Sequence, residues 1–469
     1  MCFRWIDEKL SAHEDFLGFY SIPNIASETI VSAIKDSLIR LQLPMSQCRG
    51  QCYDGASNML GKKSGVAKQI QECEPKALPT HCHGHSLSLS VKDATSHSKI
   101  LSDTMNNTNE IVKLVKYSPK RENLFGTLKE NLQYEDEMDE DAVAGGLTKF
   151  SATRWTVRAI CFERVIDNYE VLLKLWDECL KTKLEPDVRG RIIGCSTQMK
   201  SFDFYFGLHL GMMIFRHTDN LSATLQKANM SSISGQRNAK LTTDALRGIR
   251  NEECFKAFFQ TVLKKKKTLA DISEPRLPRK RKAPARYEMG EAEPWHPKTS
   301  EDLYRKIYYE ALDLITSAIN ERFDQPSFKS YSKLEALLLK SLKSEDISLE
   351  LAFVKELYPQ DIKVEFLIPQ LEIFKILMKD KKPECFADII DAVKSLDNHT
   401  KLMIGEAITI CKLLLVNPAT SATGERSFST ARRLKTWLRA NMSQKRFNHL
   451  AILHTHKTRT ESINLVDVG

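Results

Sequence analysis

The sequence predicts an α/β domain interrupted by a large all-helical region, so that the chain is mostly helical overall. Strand-like and helix-like segments alternate before residue 100. Residues 101–404 instead show long helical periods, such as "EDLYRKIYYEALDLITSAINERF", and few alternating β-branched runs. Two further helices are predicted on either side of Pro418, with Thr420 or Ser421 capping the second. Since 469 residues exceed one ordinary core, we expect two or three domains, or one domain with a large insertion.

The first hundred residues contain the elements of the predicted sheet. "EDFLGFYSI" and "SQCRGQCYD" are typical of strands, and "LPTHCHGHSLSLSVKDA" predicts a strand that runs into a helix. Ile30, Ile34 and Leu38 recur at four-residue spacing, which predicts an amphipathic helix with Ser27 as its N-cap. A second helix is expected to begin near Ser64. This alternation favours a sheet with helices on its faces.

Cysteine usage and hydropathy exclude a secreted disulfide framework and a membrane protein. The eleven Cys are scattered without a CxxC pair, which indicates reduced thiols in the cytosol or nucleus. The most apolar run, Ile404–Val416, contains Glu406 and Lys412 and is too short to span a bilayer. We therefore expect no membrane partner.

Positive charge concentrates in one segment. Residues 264–286 hold ten Lys or Arg and two acids, so most of the net charge of +9 lies there. The surrounding charge and Pro content predicts a disordered linker near 264–298. Two basic blocks with an eleven-residue spacer favour a bipartite nuclear import signal, with a DNA-phosphate contact or a solvated linker as alternatives. The blocks are Lys264, Lys265, Lys266 and Lys267, and Arg279, Lys280, Arg281 and Lys282.

Four stretches, taken in order, resemble one known family. They are "CRGQCYDGASNMLGKKSGVAKQI", "THCHGHSLSLSV", "SATRW" and "NPATSATGERSFSTARRLKTWLRANMSQKRFNHLAILHTHK". Together they resemble hAT-superfamily transposases and the host proteins derived from them, in particular the zinc-finger MYM-type and THAP-linked group. The resemblance runs from about residue 5 to about residue 457. Each motif alone is weak, whereas their order and spacing are specific.

The resemblance implies a fold. Proteins of this family have an RNase H-like core that is split by a large all-helical insertion. Residues 1–100 would then form the N-terminal part of that core, incomplete at its N-terminus. Residues 101–404 would form the insertion domain, and residues 405–469 the rest of the core with a dimerisation region.

The resemblance also implies a chemistry. The family cuts DNA with two divalent metal ions, Mg²⁺ or Mn²⁺, held by three carboxylates, because these hard cations prefer oxygen ligands. Asp54 matches the second carboxylate and Glu425 the third. The family's first carboxylate lies upstream of the matched region, so we expect an incomplete triad, no transposition and no cofactor unless the site is completed. The alternatives are that Asp54 and Gly55 form a turn and that Glu425 is a first-turn helix acid.

Two further motifs match positions around the family's active site. Cys82 and His85 match a Cys-x-x-His motif, and with His81 and His83 they also suggest a zinc site. Their spacing does not fit a zinc finger, so we favour structural packing. Trp155 matches a Trp that stacks on an extruded base, a contact worth about 1–3 kcal/mol; a buried helix Trp is the alternative.

The neighbours of Trp155, Arg154 and Arg158, are candidate phosphate contacts, with surface charge as their alternative. DNA would in that case be a second partner of the chain, bound weakly through these residues, the 264–286 segment and the basic C-terminal helix.

The C-terminal region combines basic and apolar residues. Its apolar positions are too numerous for one exposed helix face, and an exposed stripe of that size would aggregate. The family interpretation is a homodimer or larger self-assembly, with core packing as the alternative. The candidate dimerisation residues are Phe428, Trp437, Phe447, Leu450 and Leu453.

These observations predict a transposase-derived nuclear protein that dimerises through its C-terminal region and lacks transposition activity. One alternative is a fragment of an active, metal-dependent DNA transposase or nuclease. A second alternative is a transcriptional corepressor or scaffold that acts through protein contacts.

Overall fold

A computed structural model describes residues 1–135, 145–148, 157–227, 230–277, 297–435 and 441–463. The described chain is mostly helical, as the sequence predicts. Its strands are β1 (Cys2–Ile6), β2 (Ala12–Phe16), β3 (Gly50–Tyr53) and β4 (Leu78–His81). Its helices are α1 (Ser27–Arg40), α2 (Ser57–Leu60), α3 (Val66–Cys73), α4 (His83–His97), α5 (Lys99–Lys116), α6 (Pro119–Glu135), α7 (Arg158–Asp167), α8 (Tyr169–Leu180), α9 (Pro186–Met199), α10 (Phe202–Leu225), α11 (Ser232–Gly248), α12 (Glu252–Lys266), α13 (Ser300–Phe323), α14 (Pro326–Lys343), α15 (Ser348–Leu357), α16 (Val364–Met378), α17 (Phe386–Lys394), α18 (Asn398–Leu402), α19 (Gly405–Val416), α20 (Ala422–Leu434), α21 (Gln444–Thr455) and α22 (Lys457–Glu461).

The chain divides into two compact units. Unit 1 consists of residues 1–87, 224–239 and 322–469, and unit 2 of residues 88–223 and 240–321. No helix in the described ranges is both long and apolar enough to cross a membrane.

The strands of unit 1 form two small sheets. β1 and β2 pair antiparallel, with Arg4 opposite Glu14, and β3 and β4 pair in parallel, with Tyr53 opposite His81. A parallel pair needs a crossover connection, which α2 and α3 supply. α1 begins after Ala26 rather than after the Ser27 cap expected from the sequence, and the Ser27 side chain is buried in its first turn.

An extensive hydrophobic cluster joins the separate segments of unit 1. Leu78 of β4 shares this cluster with Tyr331 of α14, Leu371 of α16 and Leu414 of α19. Residues 322–404 therefore pack with the strands, although the sequence analysis assigned them to the helical insertion. A smaller cluster joins Val31 of α1 to Val66 and Ile70 of α3 and to Ala77, which precedes β4.

Unit 2 is entirely helical in its described residues. Aromatic side chains dominate its interior, and Phe202, Phe206, Phe259 and Tyr304 contact one another from α10, α12 and α13. Each is almost fully buried, which holds these three helices together.

Candidate functional site

Two parallel strands of unit 1 end side by side and position the candidate site. The Cys82 backbone N–H donates to the Tyr53 carbonyl oxygen at 2.8 Å, which continues the ladder by one hydrogen bond. Asp54 and Cys82 therefore leave the sheet together at the carboxyl ends of the strands, where open α/β sheets bind ligands. We call the following residues the strand-end cluster: Cys52, Asp54, His81, Cys82, Ser421 and Glu425.

Asp54 lies in a tight turn between β3 and α2. Its side chain is exposed, and its Oδ1 accepts a hydrogen bond from the Ala56 backbone N–H at 3.3 Å. This local bond is the turn-forming role that Asp and Asn commonly have. The structure places Asp54 directly after the end of β3.

Gly55 allows the backbone to pass close to two imidazoles. A Cβ atom added at Gly55 would lie 2.8 Å from His81 Nε2 and 3.6 Å from His85 Cδ2. The two rings are tilted, with centroids 5.7 Å apart. Burial, followed by the effects of His85 and Arg322, lowers the pKa of His81 to about 4. His81 is therefore neutral at pH 7.

Gln325 fixes the backbone of His81. The His81 N–H donates to Gln325 Oε1 at 2.9 Å, and Gln325 Nε2 donates to the His81 carbonyl oxygen at 3.0 Å. The amide therefore bonds the outer edge of β4 as a neighbouring strand would, and it satisfies both polar groups of that residue.

Two cysteines lie near the strand ends. The Cys82 sulfur accepts a hydrogen bond from the Ser421 backbone N–H at 3.4 Å. The effect of the neighbouring Cys52 side chain, followed by that of Ser421, lowers the pKa of Cys82 to about 7 against the opposing effect of burial. The neighbouring Cys82 side chain and burial raise the pKa of Cys52 well above its ordinary value, and Glu14 and Glu425 raise it further.

Glu425 reaches the cluster through the segment that precedes α20. The His83 N–H donates to the Ala419 carbonyl oxygen at 2.8 Å, which ties this segment to the start of α4. Ser421 is the N-cap residue of α20, but its hydroxyl accepts no capping hydrogen bond from the helix N–H groups and instead donates to Glu425 Oε1 at 3.2 Å. Glu425 is thus an exposed first-turn acid close to the end of β4.

Glu14 joins β2 to the same helix start. Its Oε1 accepts a hydrogen bond from Arg4 Nη1 at 2.7 Å, and its Oε2 accepts one from the Thr423 hydroxyl. Both side chains of the Arg4–Glu14 pair are nearly buried. The carboxylate is therefore compensated by a cation that is itself held within unit 1.

The donor set of the cluster does not fit a three-carboxylate metal site. Within the described ranges, no three His, Cys, Asp or Glu side chains are arranged to hold a metal ion. Asp54 and Glu425 are each engaged in a local hydrogen bond.

Of the three predicted DNA-contact residues, the structure describes Arg158, the first residue of α7. Arg154 and Trp155 fall outside the described residues. Arg158 is half-buried, and its Nη2 donates to Ser88 Oγ at 3.2 Å. Burial lowers the pKa of this guanidinium, while nearby Asp219 raises it. Arg158 is thus engaged within unit 2.

The first basic block ends α12. Lys264, Lys265 and Lys267 are exposed, whereas Lys266 is buried and forms an ion pair with Glu274. The second block, 279–282, falls outside the described residues.

The predicted dimerisation residues separate into core and surface. Phe447 is 5% exposed and packs with Phe16, and Leu450 packs against the same cluster. Phe428 and Leu453 are 63% and 45% exposed. Trp437 falls outside the described residues.

Comparison with known proteins gives two kinds of similarity. Residues 1–65 match a family model described as "DUF4371: ZMYM1/FAM200, RNase-like domain". The matched window contains β1, β2, β3 and Asp54, and it covers only the N-terminal part of the chain.

Two curated relatives match almost the whole chain. The human "52 kDa repressor of the inhibitor of the protein kinase" is 22% identical over 467 residues, which is 96% of this chain and 58% of the relative. The mouse protein of the same name is 23% identical over 465 residues, 96% of this chain and 59% of the relative. The chain therefore spans about three fifths of the length of these relatives. It is similar to an RNase-like domain at its N-terminus and to a repressor along its length.

Proposed function

We propose that this chain derives from a hAT-type transposase and works in the nucleus as a self-associating regulatory protein that does not cleave DNA. One observation carries the proposal. Cys82 and Ser421 lie 339 residues apart in sequence and are hydrogen-bonded in the structure. The contact links two of the stretches that carry the family resemblance at the carboxyl ends of a parallel strand pair.

The same observation supports an RNase H-like core in unit 1, with unit 2 as its helical insertion. The RNase-like description of the matched family model agrees with this proposal. We propose that the chain does not cleave DNA because the Asp54 and Glu425 carboxylates each accept a local hydrogen bond, from Ala56 and Ser421 respectively. A two-metal mechanism instead needs carboxylates that converge on shared ions.

A DNA nicking assay in Mn²⁺ tests the catalytic part. We expect no nicking by the unmodified protein, and the same background for Asp54→Ala and Glu425→Ala. Metal-dependent nicking that both substitutions abolish would instead support the active transposase, which would use Mg²⁺ or Mn²⁺ as its cofactor.

Self-association is proposed to use Phe428 of α20 and Leu453 of α21. Both are exposed, and the core position of Phe447 holds their helices together. Light scattering should give a dimer or larger assembly for the unmodified protein and a monomer for Phe428→Asp with Leu453→Asp. Leu402→Asp, at a leucine of α18 that is 78% exposed, is the matched control. An assembly that persists in the double variant rules out this interface.

The relatives' printed name favours a second candidate function, repression through protein contacts. Tethering the chain to a reporter promoter tests it. Reduced transcription that requires Phe428 and Leu453 supports a repressor that works as an assembly. Unchanged transcription would remove this candidate.

Nuclear import is proposed to use the basic blocks, with DNA phosphate as a weaker partner of the same charges. Imaging of a tagged chain should show loss of nuclear accumulation when Lys264, Lys265 and Lys267 become Gln. Lys266 is left in place because it is buried. Accumulation that does not change would assign these lysines to a solvated surface.

A further inference from the structure

β2 has an edge with no neighbouring strand: in the part of the chain that the structure describes, β1 and β2 pair only with each other. The Leu17 N–H donates to the Met1 carbonyl oxygen at 2.9 Å at one end of this hairpin. The Asp7 N–H donates to the Ser11 carbonyl oxygen at 3.1 Å at the other end. Because hydrogen-bonded pairs alternate along an antiparallel ladder, the odd-numbered residues of β2 bond to β1. The backbone groups that point away from β1 therefore belong to the even-numbered residues, Ala12, Glu14 and Phe16.

One of these outward groups already has a partner. His456, between α21 and α22, donates from its Nε2 atom to the Phe16 carbonyl oxygen at 2.9 Å. This bond agrees with the alternation, and it holds the junction of α21 and α22 beside the edge of β2. No backbone hydrogen bond between described residues joins the outward groups of Ala12 or Glu14 to another segment. An edge strand with unpaired N–H and C=O groups is a template on which a further strand can pair.

A cavity of about 310 Å³ lies along the unpaired groups. Residues 12–15 form one wall of this cavity, and residues 455–459 form the other. The Thr455 hydroxyl oxygen is buried and has no hydrogen-bond partner among the described residues. A buried polar atom without a partner costs free energy, so a ligand that supplies the partner is favoured at this position.

The outward groups of β2 determine the class of ligand. Alternate residues of a strand each offer one N–H and one C=O, and they repeat at an interval of about 6.8 Å. A second extended backbone has the complementary groups at the same interval. Addition of such a backbone to a sheet edge is a recurring mode of peptide recognition, in which main-chain hydrogen bonds supply the affinity.

The charges around the cavity narrow the choice of peptide. The charged side chains of the wall opposite β2 are those of Lys457 and Arg459. Arg459 is paired with Asp15 at 2.9 Å, whereas Lys457 forms only an exposed pair with Glu461 at 3.5 Å. Exposed pairs of this kind contribute little to stability, so Lys457 is available to an acid on the ligand. The Glu14 carboxylate is already paired with a buried cation and does not oppose that acid.

We propose that β2 binds, as a third strand, an extended peptide segment of a partner protein that carries an acidic side chain near Lys457. Selection from a display library of random heptapeptides, with the full chain immobilised, tests this surface. We expect enrichment of β-prone peptides with one recurrent acidic position. Lys457→Glu should abolish the preference for the acid, and Lys445→Glu, at an exposed lysine of α21 outside the cavity, should keep it.

Two variants of Ala12 test the backbone contact with a selected peptide. Ala12→Pro removes an outward N–H at the first residue of an edge strand, where Pro is tolerated. The loss of this donor should weaken binding about three- to tenfold. Ala12→Gly keeps the N–H and is the matched control, so it should bind nearly as the unmodified protein does.

Hydrogen exchange gives a readout that needs no variant, and it remains informative even if Ala12→Pro fails to fold. Peptide binding to the unmodified protein should slow exchange of the Glu14 amide at least about tenfold, because its N–H points away from β1. The His13 amide already bonds to β1 and should exchange at an unchanged rate.

Three results would overturn the proposal. In the first, the unmodified protein enriches no peptide that Ala12→Pro fails to enrich. In the second, a selected peptide binds without slowing exchange of the Glu14 amide. In the third, this amide is protected in the protein without peptide and loses its protection when residues 464–469, which lie outside the described residues, are deleted. The chain itself would then occupy the edge, and no partner peptide would be needed.

Discussion

His83 should make unit 1 sensitive to acid. The residue is 2% exposed at the start of α4, and its ring packs against Phe323 with centroids 5.0 Å apart. A Cβ atom added at Gly235 would lie 2.5 Å from His83 Nδ1, so the surrounding backbone is close. Burial, with a smaller effect of His81, lowers the pKa of His83 from 6.5 to about 3.

The sign of the effect follows from proton binding. Below pH 6.5 the unfolded chain protonates this imidazole, whereas the folded chain keeps it neutral until about pH 3. Stability is therefore fully present above pH 6.5 and is lost as the pH falls through that window. For one imidazole with these two pKa values, the loss at pH 5 is about 2 kcal/mol.

The assay compares the unmodified protein with His83→Asn at pH 8 and pH 5. Urea titrations, monitored through hydrogen exchange of the α19 amides, report on the stability of unit 1. We expect the unmodified protein to lose about 2 kcal/mol more than His83→Asn on acidification. His97→Asn, at an exposed position of the same helix, should behave as the unmodified protein. Equal acid sensitivity of the unmodified protein and His83→Asn would refute the reasoning.

Three further sets of substitutions test the packing of the chain. Gly55→Ala forces its Cβ against His81 and should lower the free energy of unfolding by about 1–3 kcal/mol. Gly126→Ala, where nothing lies within 4 Å, should raise the free energy of unfolding by about 0.5–1 kcal/mol. Similar urea midpoints for the two variants would contradict the close approach of Gly55 to His81. Gln325→Leu leaves the His81 backbone N–H and carbonyl without their partners and should lower the free energy of unfolding by about 2–3 kcal/mol, measured by thermal melting. An unchanged melting temperature would mean that water replaces the Gln325 amide. Phe447→Ala should lower the free energy of unfolding by about 3–5 kcal/mol because it truncates a core side chain. Phe428→Ala, in a monomeric background, should lower it by less than about 1 kcal/mol. A larger loss for Phe428→Ala than for Phe447→Ala would contradict the assignment of Phe447 to the core and Phe428 to the surface.

Local sequence patterns predict the elements of this chain better than its contacts. The alternating start, the helical middle and the strand that runs into α4 follow from periodicity, because each depends on neighbouring residues. Local patterns do not predict β1, because its five residues lack alternating burial and four of them are half-buried.

The candidate site was only partly predictable for the same reason. The family resemblance points to Asp54 and Glu425, and in the structure they have the turn and first-turn roles that their sequence context predicts. The sequence does not predict the role of Gln325, because its hydrogen-bond partner His81 is 244 residues away in sequence. Phe447 and Phe428 have the same side chain, and only tertiary packing places one inside and the other outside.

The bond between Cys82 and Ser421 also determines when the site can exist. On a growing chain, β4 is synthesised hundreds of residues before its partner segment. Closing a long loop costs only about 0.6 kcal/mol more for each doubling of its length, but it delays the contact relative to local helices. The His83 N–H and the Cys82 sulfur therefore find their partners only after residues 419–421 have been synthesised. A ribosome that stops before residue 419 releases a chain that lacks these partners, so the strand-end cluster can assemble only on chains translated beyond that point.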